Sequence, residues 1–215
     1  MVRAELADGL YAITDGRART QADLVRRVEQ AIRGGARLVQ YRDKPASTDE
    51  RLARAAALLD LCRQHGVALI INDDIELAAA IGAHGVHLGA GDTAVATARQ
   101  RLGSRAIIGA SCYNRLERAH AAVTEGADYV AFGRFFASHS KPEAVPASPD
   151  LLTQARRELP VPVAVIGGIT PANGAALVAA GANLLAVIHG VFGQPDIEAA
   201  AQAYARLFDR VRCET

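Results

Sequence analysis

The chain lacks most of the features that mark a secreted, membrane or nucleic-acid-binding protein. Its three cysteines, Cys62, Cys112 and Cys213, are scattered and odd in number. That excludes a disulfide framework and the paired spacing of a zinc site, and it implies reduced thiols. No run approaches the ~18 apolar residues that a membrane-spanning helix needs. The opening MVRAELADGLYAI has no apolar leader region, which together with the thiols points to a cytoplasmic protein. The formal net charge is only +1, so no nucleic-acid or anionic-membrane partner is expected and any positive potential must be local. No GxGxxG follows the first apolar run, which weakens a dinucleotide-binding sheet. No linker, low-complexity segment or convincing Ser/His/Asp or Cys/His set stands out. Cys112 beside Ser111 has no evident base partner.

What is present is a regular alternation. Within 215 residues, 50% of them hydrophobic, short β-rich runs occur at Leu10–Ile13, Leu38–Tyr41, Val67–Ile71, Gly85–Leu88, Ala106–Gly109, Tyr129–Phe132, Val163–Ile166 and Leu184–Ile188. Stretches with helical spacing separate them, such as Asp49–His65 and Asn114–Glu125. Gly-Ala precedes the even-numbered runs at Gly35, Gly82, Gly126 and Gly181, where each glycine suits a left-handed helix C-terminus. Continuous apolar strands argue for a parallel sheet covered by helices. Eight βα units favour an α/β fold of the (βα)8 TIM-barrel type as one domain over residues 1–215, near the lower size limit of that fold. An open doubly wound sheet is the rival.

In such a barrel the polar residues after each strand converge on one face. The most informative stretch runs from Gly126 to Ala144, where an apolar strand leads into a small-residue loop carrying Arg134, Ser138, Ser140 and Lys141. Amides, hydroxyls and an ammonium at a strand end suit a phosphorylated ligand. In Gln40-Tyr41-Arg42-Asp43-Lys44, strand alternation sends Gln40, Arg42 and Lys44 to one side, where Arg42 can grip two phosphate oxygens. A surface strand end with an Arg–Asp pair is the alternative. Gly167-Gly168 admits a phosphate close to the backbone, and Thr170-Pro171 reads as a helix N-cap and first turn. Asp73 and Asp92, at the ends of neighbouring strands, could share a hard cation such as Mg²⁺, although each could instead cap the following helix. His84 and His87 lie three apart on a strand, facing opposite sides, and read as structural.

The motifs YAITD, QYRDK, IINDDIELA, GVHLG..D, IIGASCYN, GADYVAFGRFF.S.SKP, IGGITPAN and AVIHGVFGQPD resemble the thiamine-phosphate synthase family, in register from about Leu10 to Phe208. The resemblance implies a Mg²⁺-dependent transferase of thiamine biosynthesis. Its members join 4-amino-5-hydroxymethyl-2-methylpyrimidine diphosphate to 4-methyl-5-(2-phosphoethyl)thiazole, through a pyrimidine carbocation and with release of diphosphate. Position by position it implies that Gln40, Arg42, Lys44 and Asn72 contact the pyrimidine diphosphate, with Ser111 and Lys141 on the diphosphate side. Asp73 and Asp92 match the two metal carboxylates, while Ser138, Ser140 and Gly168 match the thiazole-phosphate site. Ile188-His189 takes the last-strand position where many members have valine or isoleucine and then serine. Arg42, Lys44 and Lys141 would stabilise the leaving diphosphate.

Several positions depart from the family pattern. Ala90-Gly91 replaces a polar pair before the second metal aspartate, serines stand for threonines at 138 and 140, Arg134 and Ala137 replace prolines, and His189 replaces serine. Two other readings are a thiazole tautomerase-like paralogue and a non-catalytic phosphate-binding barrel. The retained Arg42, Lys44, Asn72, Asp73, Asp92 and Lys141 disfavour the paralogue, whose proton-transfer chemistry needs no diphosphate site. The expected partners are small phosphorylated molecules, with homo-oligomerisation left open.

Overall fold

Among the residues described by the computed structural model (6–89, 91, 94–137 and 146–213, side chains through 209), eight parallel strands pair in chain order and close on themselves. They are β1 (Gly9–Ile13), β2 (Ala36–Tyr41), β3 (Ala68–Asn72), β4 (Gly85–Leu88), β5 (Ile107–Tyr113), β6 (Tyr129–Gly133), β7 (Val163–Ile166) and β8 (Leu184–Val187). The pairing of Gly9–Ala12 with Leu184–Val187 shuts the barrel and excludes the open sheet. Helices follow the strands: α1 (Gln21–Arg33), α2 (Thr48–Gln64), α3 (Ile75–Ile81), α4 (Val95–Leu102), α5 (Leu116–Thr124), α6 (Pro149–Glu158), α7 (Pro171–Ala179), the short α8 (His189–Phe192) and α9 (Ile197–Cys213).

Local chemistry explains these boundaries. Ser47 and Thr170 open α2 and α7 with reciprocal capping boxes, to Glu50 and Asn173 respectively. Pro171 takes the first turn of α7, where its missing N–H has no partner to lose. Gly82 ends α3 in the left-handed conformation, and Gly35, Gly126 and Gly181 have positive φ of 98°, 100° and 109° at the equivalent bends. In α1, Leu24, Val28, Ala31 and Ile32 form one buried stripe, the spacing that lays a helix on a sheet.

Two apolar layers result. One lies between sheet and helices and includes Val39, Leu69, Val86 and Phe132. The other fills the barrel with Tyr11, Leu38, Ile70, Tyr129 and Leu184. The lumen is tight at Gly109, where a Cβ would collide with the ring of Tyr129. Outside the barrel, Tyr204 of α9 donates to the Ile169 carbonyl at 2.9 Å, tying the last helix to the loop after β7.

Half of the sixteen strand limits match the sequence expectation and six differ by one residue, while β2 begins two residues earlier and β5 ends four later. Three of the differences move site residues. β3 extends to Asn72 because that residue pairs in register with His87. β5 runs past Gly109 to Tyr113, with a bulge between Ser111 and Tyr113 as it follows β6, so Ser111 lies within the strand. β8 stops at Val187, and Ile188 turns out of the ladder to open α8.

His84 stands before β4 with its Nδ1 accepting from the Leu69 N–H at 3.0 Å. Desolvation first, then the Arg63 charge, lowers its pKa from 6.5. The fold thus favours the neutral ring: its contribution to stability is intact above the unfolded pKa and falls as pH drops from there toward the lower folded value. His84→Asn, which keeps an acceptor near Nδ1, is expected to flatten the loss of urea midpoint between about pH 8 and about pH 5. Gly109→Ala is expected to cost at least about 1–3 kcal/mol in urea unfolding, through overpacking against Tyr129.

Candidate active site

The C-terminal strand ends surround a cavity of about 430 Å³ whose lining includes Gln40, Arg42, Asn72, Ser111, Gly168, Ile188 and His189. These residues come from β2, β3, β5 and the segments after β7 and β8, and chain closure alone brings them together. A second, more open groove of about 820 Å³ lies beside it, lined by Lys44, Asp73, Asp74, Arg51 and Arg101. Arg42 and Asn72 line both spaces. Asp92, Ser138, Ser140 and Lys141 lie outside the described residues.

Thr14 fixes the end of β2. Its hydroxyl donates to the Arg42 carbonyl at 2.9 Å and accepts from the Arg42 N–H at 2.8 Å. Asp43, buried and facing away from the lumen, takes Arg54 as partner at 2.7 Å. The surface Arg–Asp pair considered for this strand end is not formed: Asp43 pairs with Arg54 of α2, and among the described residues no carboxylate pairs with Arg42. Strand alternation does not persist to Lys44, because β2 ends at Tyr41. Lys44 lines the groove and Gln40 the lumen cavity, with Arg42 bordering both.

The two aspartates after Asn72 divide the work. Asp74 caps α3, accepting from the Leu77 N–H at 2.8 Å, which relieves Asp73 of the capping role. Asp73 accepts from the Asn72 amide at 2.6 Å, and its own N–H reaches the His87 carbonyl at 2.9 Å. Its φ of 63° is left-handed, as is that of Tyr113 at 56°. Non-glycine residues held this way are uncommon and concentrate at functional sites. An oriented carboxylate beside a carboxamide is a suitable hard-oxygen donor for a divalent cation. Among the described residues no cluster of three or more His, Cys, Asp or Glu forms a metal cage.

After β7, Gly167 and Gly168 have φ of 102° and 64°. The close approach they permit includes protein backbone: a Cβ on either would collide with the loop after β6, at Arg134 and at Ala137 respectively. Phe135 and Phe136 donate their N–H groups to Ile166 and Gly167 across this contact. Asn173 holds the Gly168 carbonyl at 3.1 Å.

Sequence reasoning missed a line of polar groups across the lumen. Gln40 Nε2 lies 2.6 Å from Tyr11 Oη, which is 2.8 Å from Tyr129 Oη. Tyr129 Oη is 2.9 Å from His87 Nδ1, and His87 Nε2 is 2.9 Å from Ser111 Oγ. His84 and His87 do face apart, but His87 is wired to a candidate site residue. The available signal was period two: Tyr11 and Ile13 share a face, as do Tyr129 and Ala131. Cys112 is buried, and desolvation pushes its thiol up to about 12, which makes it a poor nucleophile.

A family model described as thiamine monophosphate synthase matches residues 10–191. The chain belongs to that family. It is 54% identical over 211 residues to a thiamine-phosphate synthase of Marinobacter nauticus, covering 97% of this chain and 95% of the relative. A thiamine-phosphate synthase of Acidithiobacillus ferrooxidans is 50% identical over 207 residues, covering 95% of each. The solved thiamine phosphate pyrophosphorylase of Pyrococcus furiosus superposes with a TM-score of 0.84 at 32% identity, covering 94% of this chain and 96% of that one. The family match begins at β1 and ends within α8, so it spans every strand that contributes to the cavity.

Within this family member the Thr14 bracket is what holds the Arg42 backbone. Thr14→Val removes the hydroxyl and leaves the partly buried N–H and carbonyl of Arg42 without that partner. A loss of about 1–3 kcal/mol in urea unfolding is expected.

Proposed function

We propose that the chain is a thiamine-phosphate synthase that transfers the pyrimidinylmethyl group of 4-amino-5-hydroxymethyl-2-methylpyrimidine diphosphate to the nitrogen of 4-methyl-5-(2-phosphoethyl)thiazole. The observation that carries this reading is the convergence of Gln40, Arg42, Asn72 and Ser111 on one mouth, with Lys44 and Asp73 in the adjoining groove. Arg42, which has no carboxylate partner among the described residues, is available to a diphosphate.

In this reading the bond between the pyrimidine methylene and the diphosphate oxygen breaks with its electron pair leaving on oxygen. The thiazole nitrogen then donates its own pair to the methylene carbon, giving thiamine phosphate. No protein nucleophile is required, in keeping with the inert Cys112. Arg42, Lys44 and Lys141 stabilise charge as it builds on the departing diphosphate. Gln40 and Asn72 orient the pyrimidine diphosphate, and Ser111 offers a hydroxyl on the diphosphate side. The thiazole phosphate is held by Gly168, Ser138 and Ser140, with Ile188 and His189 bordering it, so that the nitrogen lies in line with the carbon. Asp73 and Asp92 would hold Mg²⁺, which when bound neutralises diphosphate charge.

Incubation with both substrates is expected to yield thiamine phosphate and diphosphate in Mg²⁺ and little of either after chelation. Arg42→Ala, Asp73→Ala and Lys141→Ala are each expected to lower kcat by roughly two orders of magnitude or more, with circular dichroism unchanged. Unaltered turnover in any of them would remove that residue from the reaction, and no diphosphate release from the parent protein would sink the assignment.

A further inference from the structure

The lumen chain has a direction. Gln40 Nε2 carries only protons to offer, so at 2.6 Å the Tyr11 oxygen accepts from it. The arrangement that leaves no donor idle then sends the Tyr11 proton to the Tyr129 oxygen at 2.8 Å. In that arrangement Tyr129 gives its own proton to His87 Nδ1, 2.9 Å away. A ring nitrogen that accepts carries no proton, which puts the imidazole proton on Nε2, directed at Ser111 Oγ at 2.9 Å. The Ser111 oxygen is thereby an acceptor toward His87, and its own proton is left for the mouth, whose lining includes Ser111.

The chain is built to stay in this state. Tyr11, Tyr129 and Gln40 are at most 2% exposed. Burial raises both phenols far above the ordinary tyrosine range, so both keep their protons. Tyr129 stacks on His87 with centroids 5.5 Å apart and meets Tyr11 edge-on at 5.9 Å, which restrains all three rings.

We propose that this chain is polarised from Gln40 to Ser111, and that His87 is a positioning residue that holds the Ser111 hydroxyl as a donor toward an anionic oxygen of the ligand. The identity of that anion as a diphosphate rests on the proposed function; the polarity does not. The opposite polarity, with the Gln40 amide turned, would put the proton on His87 Nδ1 and make Ser111 donate inward, away from the ligand.

Long-range ¹H–¹⁵N correlation spectra of the whole protein, labelled at its imidazoles and free of ligand, read the tautomer directly. The His87 signals are assigned by their loss in His87→Gln. The expected result is the Nε2–H form; the Nδ1–H form or an even mixture would overturn the proposal. Tyr129→Phe removes the donor to Nδ1 and is expected to mix the tautomers. It should also weaken binding of inorganic diphosphate in magnesium buffer by about ten-fold, the worth of one hydrogen bond to a charged group. His87→Gln, which keeps an N–H near the Nε2 position, should retain affinity within a few-fold, and His87→Ala should not. Equal losses in both His87 variants, or an unmoved tautomer in Tyr129→Phe, would also overturn it. Because the tautomer is read without ligand, failure of diphosphate to bind the parent protein would count against the thiamine-phosphate reading instead.

Discussion

Closure of β8 against β1 is the constraint on which the rest depends. The register that sets Ala12 beside Val187 brings the Ile188–His189 segment to the same rim as Thr14 and the end of β2. Because every strand is parallel, every strand end then faces the same mouth, and side chains from across the whole chain share one cavity. An open sheet of the same strands would leave β1 and β8 at opposite edges, and Thr14 and His189 would be far apart.

Closure has a second consequence, inside the barrel. A hydroxyl or imidazole buried inside the closed barrel is costly unless it is hydrogen-bonded. Tyr11, Tyr129 and His87 solve this collectively by bonding to one another and to Gln40 and Ser111 at the rim. Small residues make room for the rings: Gly109 lies where a side chain would strike Tyr129. The packing of the lumen floor and the orientation of groups in the mouth are therefore one problem. Its solution links the apolar layer to the chemistry above it.

Much of this was legible in the chain itself. The alternation of apolar runs with amphipathic stretches, together with glycines placed at helix ends, was enough for eight βα units, since both signals are local. The choice of a closed barrel over an open sheet rests on the pairing of β1 with β8. The polar residues after each run were equally visible, because a buried strand must stop where charge begins. What misled was the assumption that a strand's alternation persists beyond its ladder. β2 ends at Tyr41, so Lys44 lines a different space from Gln40, and Ile188 leaves β8 to open a helix. Asp73 reads in the sequence as a candidate cap for the following helix, a role that the Leu77 amide gives to Asp74.

Taken alone, the sequence determines the order of elements, their caps and the set of polar residues that the mouth can contain. Each of these follows from chemistry within a few neighbouring residues. Tertiary structure decides which of those residues meet, and the lumen chain is the clearest case. A tyrosine or histidine on an apolar strand reads as ordinary core, and nothing nearby in sequence names its partner 24 to 118 residues away. The stagger between strands sets the height of each side chain in the barrel, and only closure of all eight determines that stagger.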